Sequence, residues 1–185
     1  MTLLANSKSC TLLVKDYIQK RGKTGEVGLE LEVEAKNSLP NMSNDLWITK
    51  REGSLRGVSA EYVSPRPLSL SQANQAISRI YSELSKEQYQ VIKDSPRTSF
   101  HVHDNILYRT PIQYWTIVTA YWLCENLLFK FCSPNRKGNL FCLRLSDAEG
   151  VLKYCLQDLK ASTPFYQLAT DNIRYSGLNL AATMK

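Results

Sequence analysis

The chain holds two histidines, and both lie in one short run, Phe100-His101-Val102-His103. Far upstream, Val27-Gly28-Leu29-Glu30-Leu31-Glu32-Val33-Glu34 carries three glutamates at the same two-residue spacing. In a strand, residues two apart point to one face, so the first run aims two imidazoles one way and the second aims three carboxylates one way. Oxygen donors in that number suit hard divalent cations such as magnesium, and an imidazole can complete such a site or meet a phosphate. Zinc would need a further ligand of suitable type, and no CxxC pair offers one. Glu61, in Ala60-Glu61-Tyr62-Val63-Ser64-Pro65, offers a carboxylate from a second strand. Arg174 and Asn179 could bind phosphate or substrate, arginine being the natural fork for a phosphate or a carboxylate. Each feature also has a plain structural reading. Alternating apolar and acidic residues describe a solvent-facing strand, and glutamates discourage edge-to-edge aggregation.

Elements must position these groups. Glu26 to Ala35 alternates as a strand does, Leu46 to Thr49 is a second strand, Arg51-Glu52-Gly53-Ser54 a tight turn, and Val58 to Ser64 a third strand stopped by Pro65. Ser69 with Gln72 fits a capping box, opening a helix with an apolar stripe of Ala73, Ala76, Ile77, Ile80, Tyr81 and Leu84. Ser99 to Asp104 is the histidine strand. Pro111 fits the first turn of a long helix through Cys132, expected to be a core helix with one semi-polar face. Leu140 to Leu145 reads as a further strand, and Ser146 with Glu149 caps a helix carrying Val151, Leu152, Cys155, Leu156 and Leu159. Thr11 to Gln19 reads as a short helix before the Arg21–Gly25 break. Strands followed by mixed helices and strands predict an α+β domain over 26–185, with a mainly antiparallel sheet and helices on one face, preceded by an arm or short helix over 1–25.

The chain has 185 residues, 43% of them hydrophobic and 22% charged, which suits a folded domain. Its formal charge of +6 permits a phosphate-rich ligand without requiring one. A nucleic-acid partner ranks last, because Trp115 and Trp122 fall on the long helix, where core packing is the default. The odd count of five cysteines predicts buried free thiols in a reducing compartment, so a cytoplasmic location is expected. Gln113, Thr116, Thr119, Glu125, Asn126 and Lys130 interrupt the longest apolar stretch, so no membrane span is expected.

In order along the chain, the strand Val27–Glu34, the turn Arg51-Glu52-Gly53-Ser54-Leu55, the strand Ala60–Pro65, Phe100-His101-Val102-His103 and Arg174-Tyr175-Ser176-Gly177-Leu178-Asn179-Leu180 resemble the amidoligase family of phages and bacteria. That family is related to glutamine synthetase and glutamate–cysteine ligase. The resemblance implies a glutamine synthetase-like fold and an ATP-dependent carboxylate–amine ligase, with ATP and Mg2+ or Mn2+ as cofactors and a small-molecule or peptide carboxylate and an amine as substrates. It implies that Glu30, Glu32 and Glu61 hold the metal with His101 as a further ligand. His103 would lie near the transferred phosphoryl group, Arg174 would contact nucleotide phosphates and serve catalysis, and Asn179 would support the same end of the pocket. Glu52 stands where the family commonly has Asp. The family's later Thr-x-Glu-Phe-Arg strand has no counterpart before Lys185, so a fragment, a second polypeptide completing the site, a homo-oligomer, or a non-catalytic structural or interaction module of a phage particle are the expectations that follow. Under the last, the location would be the virion.

Overall fold

The computed structural model describes residues 25–51, 53–104, 110–132, 134–136 and 144. Four strands, β1 (Val27–Ala35), β2 (Ile48–Lys50), β3 (Val58–Val63) and β4 (Phe100–Asp104), form one antiparallel sheet in the order β2-β3-β1-β4. With helices α1 (Leu70–Leu84) and α2 (Pro111–Leu128), the described residues make an α+β structure. The chain divides into two compact units between Tyr108 and Arg109.

In the first unit, β1 is the central strand and its alternation sorts the sheet into two faces. Leu29 and Val33 turn into a buried cluster with Ala60, Tyr62 and Leu68, while the glutamates take the opposite face. The helix α1 covers the apolar face through Ala73, Ala76 and Ile80. Ile77 and Tyr81, expected in that stripe, are exposed, and Leu84 is partly buried. The contact runs along Ala73, Ala76 and Ile80, the two alanines letting the helix approach closely, which leaves the flanking positions outside it. The capping box is present: the Ser69 hydroxyl accepts the Gln72 N–H at 3.3 Å, and the Gln72 side chain accepts the Ser69 N–H at 3.0 Å.

Loops are pinned to this core by buried polar groups. Trp47 Nε1 donates to the Ala76 carbonyl at 2.8 Å, and the fully buried Tyr62 hydroxyl donates to the Pro40 carbonyl at 2.8 Å. The second strand starts later than expected, at Ile48, because the Asn44 side chain accepts the N–H groups of Leu46 and Trp47 at 3.0 and 2.9 Å and folds those residues into a turn. The strands β1, β3 and β4 fall within a residue of their expected bounds.

In the second unit, Thr110 caps α2, with the Gln113 side chain accepting the Thr110 N–H at 3.0 Å and Pro111 in the first turn. The final turn tightens into a 3-10 helix over Phe129–Phe131. The expected core helix with one semi-polar face is corrected in its detail. Among the residues of α2 whose side chains are described, Val118 and Glu125 are buried, whereas Trp122, Leu123 and Leu127 are exposed, so Trp122 is not packed in a core. The thiols of Cys124 and Cys132 are free and exposed instead of buried. No described helix is long and apolar enough to cross a membrane. The helix expected over 11–19, the strand over 140–145 and the helix from Ser146 lie outside the described residues, apart from Arg144, whose guanidinium donates to Asn126 Oδ1 at 3.1 Å.

Candidate functional site

The face of the sheet opposite α1 is built by register. Across β1 and β3, Glu32 stands opposite Glu61 and Glu30 opposite Val63. Across β1 and β4, Glu30 stands opposite His101 and Gly28 opposite His103. Lys50 of β2 is the register partner of Glu61 on its other side. Directly opposed residues of an antiparallel pair share a face. Three carboxylates, two imidazoles and one ammonium-bearing side chain therefore meet on three neighbouring pairs, as period-two reasoning predicts for Glu30, Glu32, His101 and His103.

Two hydrogen-bonded groups organise them. His103 Nε2 lies 3.1 Å from Glu30 Oε2, with the Glu30 side chain about one-quarter exposed and that of His103 about half. The hydrogen bond from His103 is the main force holding the Glu30 carboxyl below the usual carboxylate range; burial opposes it, and a hydrogen bond with Glu61 and the charges of His101 and His103 add to the lowering. The same bond raises His103 above the ordinary histidine value, against the opposing effect of burial and helped by the charges of Glu30 and Glu61. The two shifts favour the charged forms of both partners, the imidazolium and the carboxylate. In the second group, the Ser99 hydroxyl donates to Glu32 Oε2, and Ser99 Oγ lies 2.6 Å from His101 Nε2. The two rings stack loosely, with centroids 6.3 Å apart and planes inclined by 29°.

Glu34 takes no part in this group. It is buried at the far end of β1, where the Ser95 hydroxyl donates to its Oε2 at 2.5 Å and the Arg56 backbone N–H to its Oε1 at 2.9 Å. Burial pushes its carboxyl up, but those two hydrogen bonds and the charges of Arg97 and Arg56 outweigh that and leave it below the usual range. The third carboxylate of the strand is thus a clamp on two loops, and the expected three-glutamate shelf narrows to Glu30 and Glu32 with Glu61 beside them.

One ligand atom from each of Glu30, Glu32 and His101 lies within 4.8 Å of the other two. In an octahedral magnesium site with ligands at about 2.1 Å, adjacent ligands stand about 3.0 Å apart and opposite ones about 4.2 Å, so the side chains must draw together by about 1–2 Å to close the set on a cation. Two carboxylates and an imidazole are the donor types that Mg2+ and Mn2+ accept. Glu61 stands directly opposite Glu32 across β1 and β3 and adds a third carboxylate beside the set, with Lys50 its register partner on the other side. The residues therefore fit a hard divalent cation.

Gly28, beside this group, leaves His103 within reach of the strand. A Cβ added there would meet the His103 Cβ at 3.5 Å, an ordinary contact, so the position does not demand glycine for space. The sequence reading assigns no role to Ser99, although it shares the two-residue period of His101 and His103; weighing only carboxylates and imidazoles passes over its hydroxyl. Arg174 and Asn179 lie outside the described residues, as does Glu52 of the tight turn. No family model, curated protein or solved structure matches the chain.

Proposed function

We propose that the chain is an ATP-dependent carboxylate–amine ligase of the amidoligase type, working on the acidic and histidine-bearing face of its sheet. The observation that carries this reading is the convergence of Glu30, Glu32 and His101 ligand atoms within 4.8 Å, with the two glutamates partly exposed and the histidine exposed. In the reaction, a substrate carboxylate oxygen attacks the γ-phosphorus of ATP, ADP leaves, and an acyl phosphate forms. The amine then attacks the acyl carbon, inorganic phosphate leaves, and the ammonium-derived proton is released to solvent as the amide forms. A bound Mg2+ or Mn2+ would neutralise the charge on the phosphates.

The chain's own groups divide that work. Glu30, Glu32, Glu61 and His101 would hold the cation. His103, whose bond to Glu30 favours its protonated form, would present an N–H donor to the transferred phosphoryl group. Arg174 and Asn179 are assigned to the nucleotide phosphates by the family resemblance alone. The substrates would be a small-molecule or peptide carboxylate and an amine.

A second reading, a non-catalytic structural or interaction module that keeps this fold, is favoured by one specific observation. Glu30 with His103, and Glu32 with Ser99 and His101, already satisfy one another within the protein. Such a network can hold a sheet face together without turnover. Incubation with Mg-ATP, hydroxylamine and a pool of the twenty amino acids separates the two, because hydroxylamine traps an acyl phosphate as a hydroxamate. Hydroxamate together with phosphate, both lost in Glu30→Ala/Glu32→Ala, supports the ligase; release of neither from the folded wild type favours the module.

A further inference from the structure

We infer that Ser99 is a positioning residue for the cation site, fixing which nitrogen of His101 and which oxygen of Glu32 face the metal; this rests on the ligase reading of that face. Ser99 immediately precedes β4, and its carbonyl accepts the Glu32 N–H at 2.9 Å, so the backbones of the two residues are tied together. Its hydroxyl is then held against two side chains from different strands, the Glu32 carboxylate of β1 and the His101 imidazole of β4.

Proton counting gives the direction of each bond. A serine hydroxyl has one proton, and it is donated to Glu32 Oε2. Toward His101 the Ser99 oxygen can only accept, so the hydrogen of His101 sits on Nε2, 2.6 Å away. Whenever the ring is neutral its lone pair is then on Nδ1, and the Ser99 bond takes only Oε2 of Glu32. Imidazole N–H, serine hydroxyl and carboxylate form a relay of the kind that orients metal-ligating histidines and raises their basicity. Ser95 makes an equivalent bond to Glu34, but that carboxylate is buried and shared with a backbone N–H, so the relay at Ser99 is the one that opens on the candidate site.

The test uses the full chain with Ser99→Ala and Ser99→Thr, reading Mn2+ binding by the loss of the free-ion electron paramagnetic resonance signal. Removing an outer-shell partner of a metal ligand typically weakens binding by about tenfold or more, and that loss is expected for Ser99→Ala, with recovery in Ser99→Thr, which restores the hydroxyl. A long-range proton–nitrogen correlation spectrum of wild type in EDTA, at mildly alkaline pH, is expected to show His101 protonated on Nε2. An Nδ1–H tautomer overturns the inference whatever the metal does. So does a Ser99→Ala variant that binds Mn2+ as tightly as wild type, or more tightly, the latter meaning that the hydroxyl competes with the ion. If wild type shows the Nε2–H tautomer and binds no Mn2+, the relay stands but the cation reading falls, and the assigned role of Ser99 falls with it.

Discussion

At the scale of single residues, three glutamates of identical spacing have three different fates, and each fate is set by what lies opposite. Glu34 meets Ser95 and the Arg56 N–H and is buried. Glu34→Ala is expected to cost about 2–3 kcal/mol, the range for losing hydrogen bonds to a charged group, as read by urea unfolding. Its lowered pKa also fixes a pH dependence. A carboxyl whose folded pKa is depressed stabilises the fold fully above the ordinary carboxylate value and loses that contribution as pH falls through the depressed folded value. Acid unfolding of wild type should therefore steepen below the ordinary glutamate range, and Glu34→Gln should flatten that limb; an unchanged acid limb would refute the clamp. The Glu30–His103 pair has the opposite sign on its basic partner. The stabilisation from the raised His103 is fully present below the ordinary histidine value and is lost as pH rises through the raised folded value. The ring resonances of His103 should titrate above the ordinary histidine value and move back toward it in Glu30→Gln. The spacing made Glu30, Glu32, His101 and His103 legible, since period two alone puts them on one face. It could not separate Glu34 from them, because its loop partners come from sequence positions 22 and 61 residues away.

At the scale of elements, the helix and the sheet were readable where local chemistry decides and misread where packing does. The Ser69 and Gln72 capping box starts α1 as the sequence reads, and Ser69→Ala is expected to cost about 1 kcal/mol in thermal or urea unfolding. Ile77 and Tyr81 were drawn into the apolar stripe by hydrophobicity, yet the contact runs through the small Ala73 and Ala76. Polar substitution at Tyr81 should be nearly neutral, whereas Ala76→Leu, at a fully buried position beneath the sheet, should overpack the core and cost about 1–3 kcal/mol. Equal stabilities for those two variants would contradict the packing described. The start of β2 is hidden in the same way: Leu46 and Trp47 are apolar and strand-like in composition, but the Asn44 side-chain oxygen Oδ1 accepts both of their N–H groups. For α2 the sequence predicts a core helix with one semi-polar face, whereas Glu125 is buried and Leu123 and Leu127 are exposed, a reversal that hydropathy cannot register because it depends on which face the unit covers.

At the scale of the whole molecule, the first unit joins an apolar face closed by α1 to an acidic and histidine-bearing face on the same four strands. The α+β class follows from the alternation of strand and helix signals, and the face carrying the candidate site follows from β1 lying between β3 and β4. The ligase assignment reaches further than the sheet, since Arg174 and Asn179 enter it through motif order alone. The formal charge of +6 favours an anionic ligand in general and a nucleotide no more than another, so under the proposed reading the carboxylates and imidazoles would supply the selectivity through a cation. The decisive measurement is calorimetric titration of the purified chain with ATP, with Mg2+ present and with EDTA in its place, alongside Glu30→Ala/Glu32→Ala whose folding is checked by circular dichroism. The expected result is saturable binding of ATP by wild type that requires Mg2+ and is lost in the folded variant. Absence of Mg-ATP binding by folded wild type, or equal binding by the variant, would contradict the ligase reading of this face.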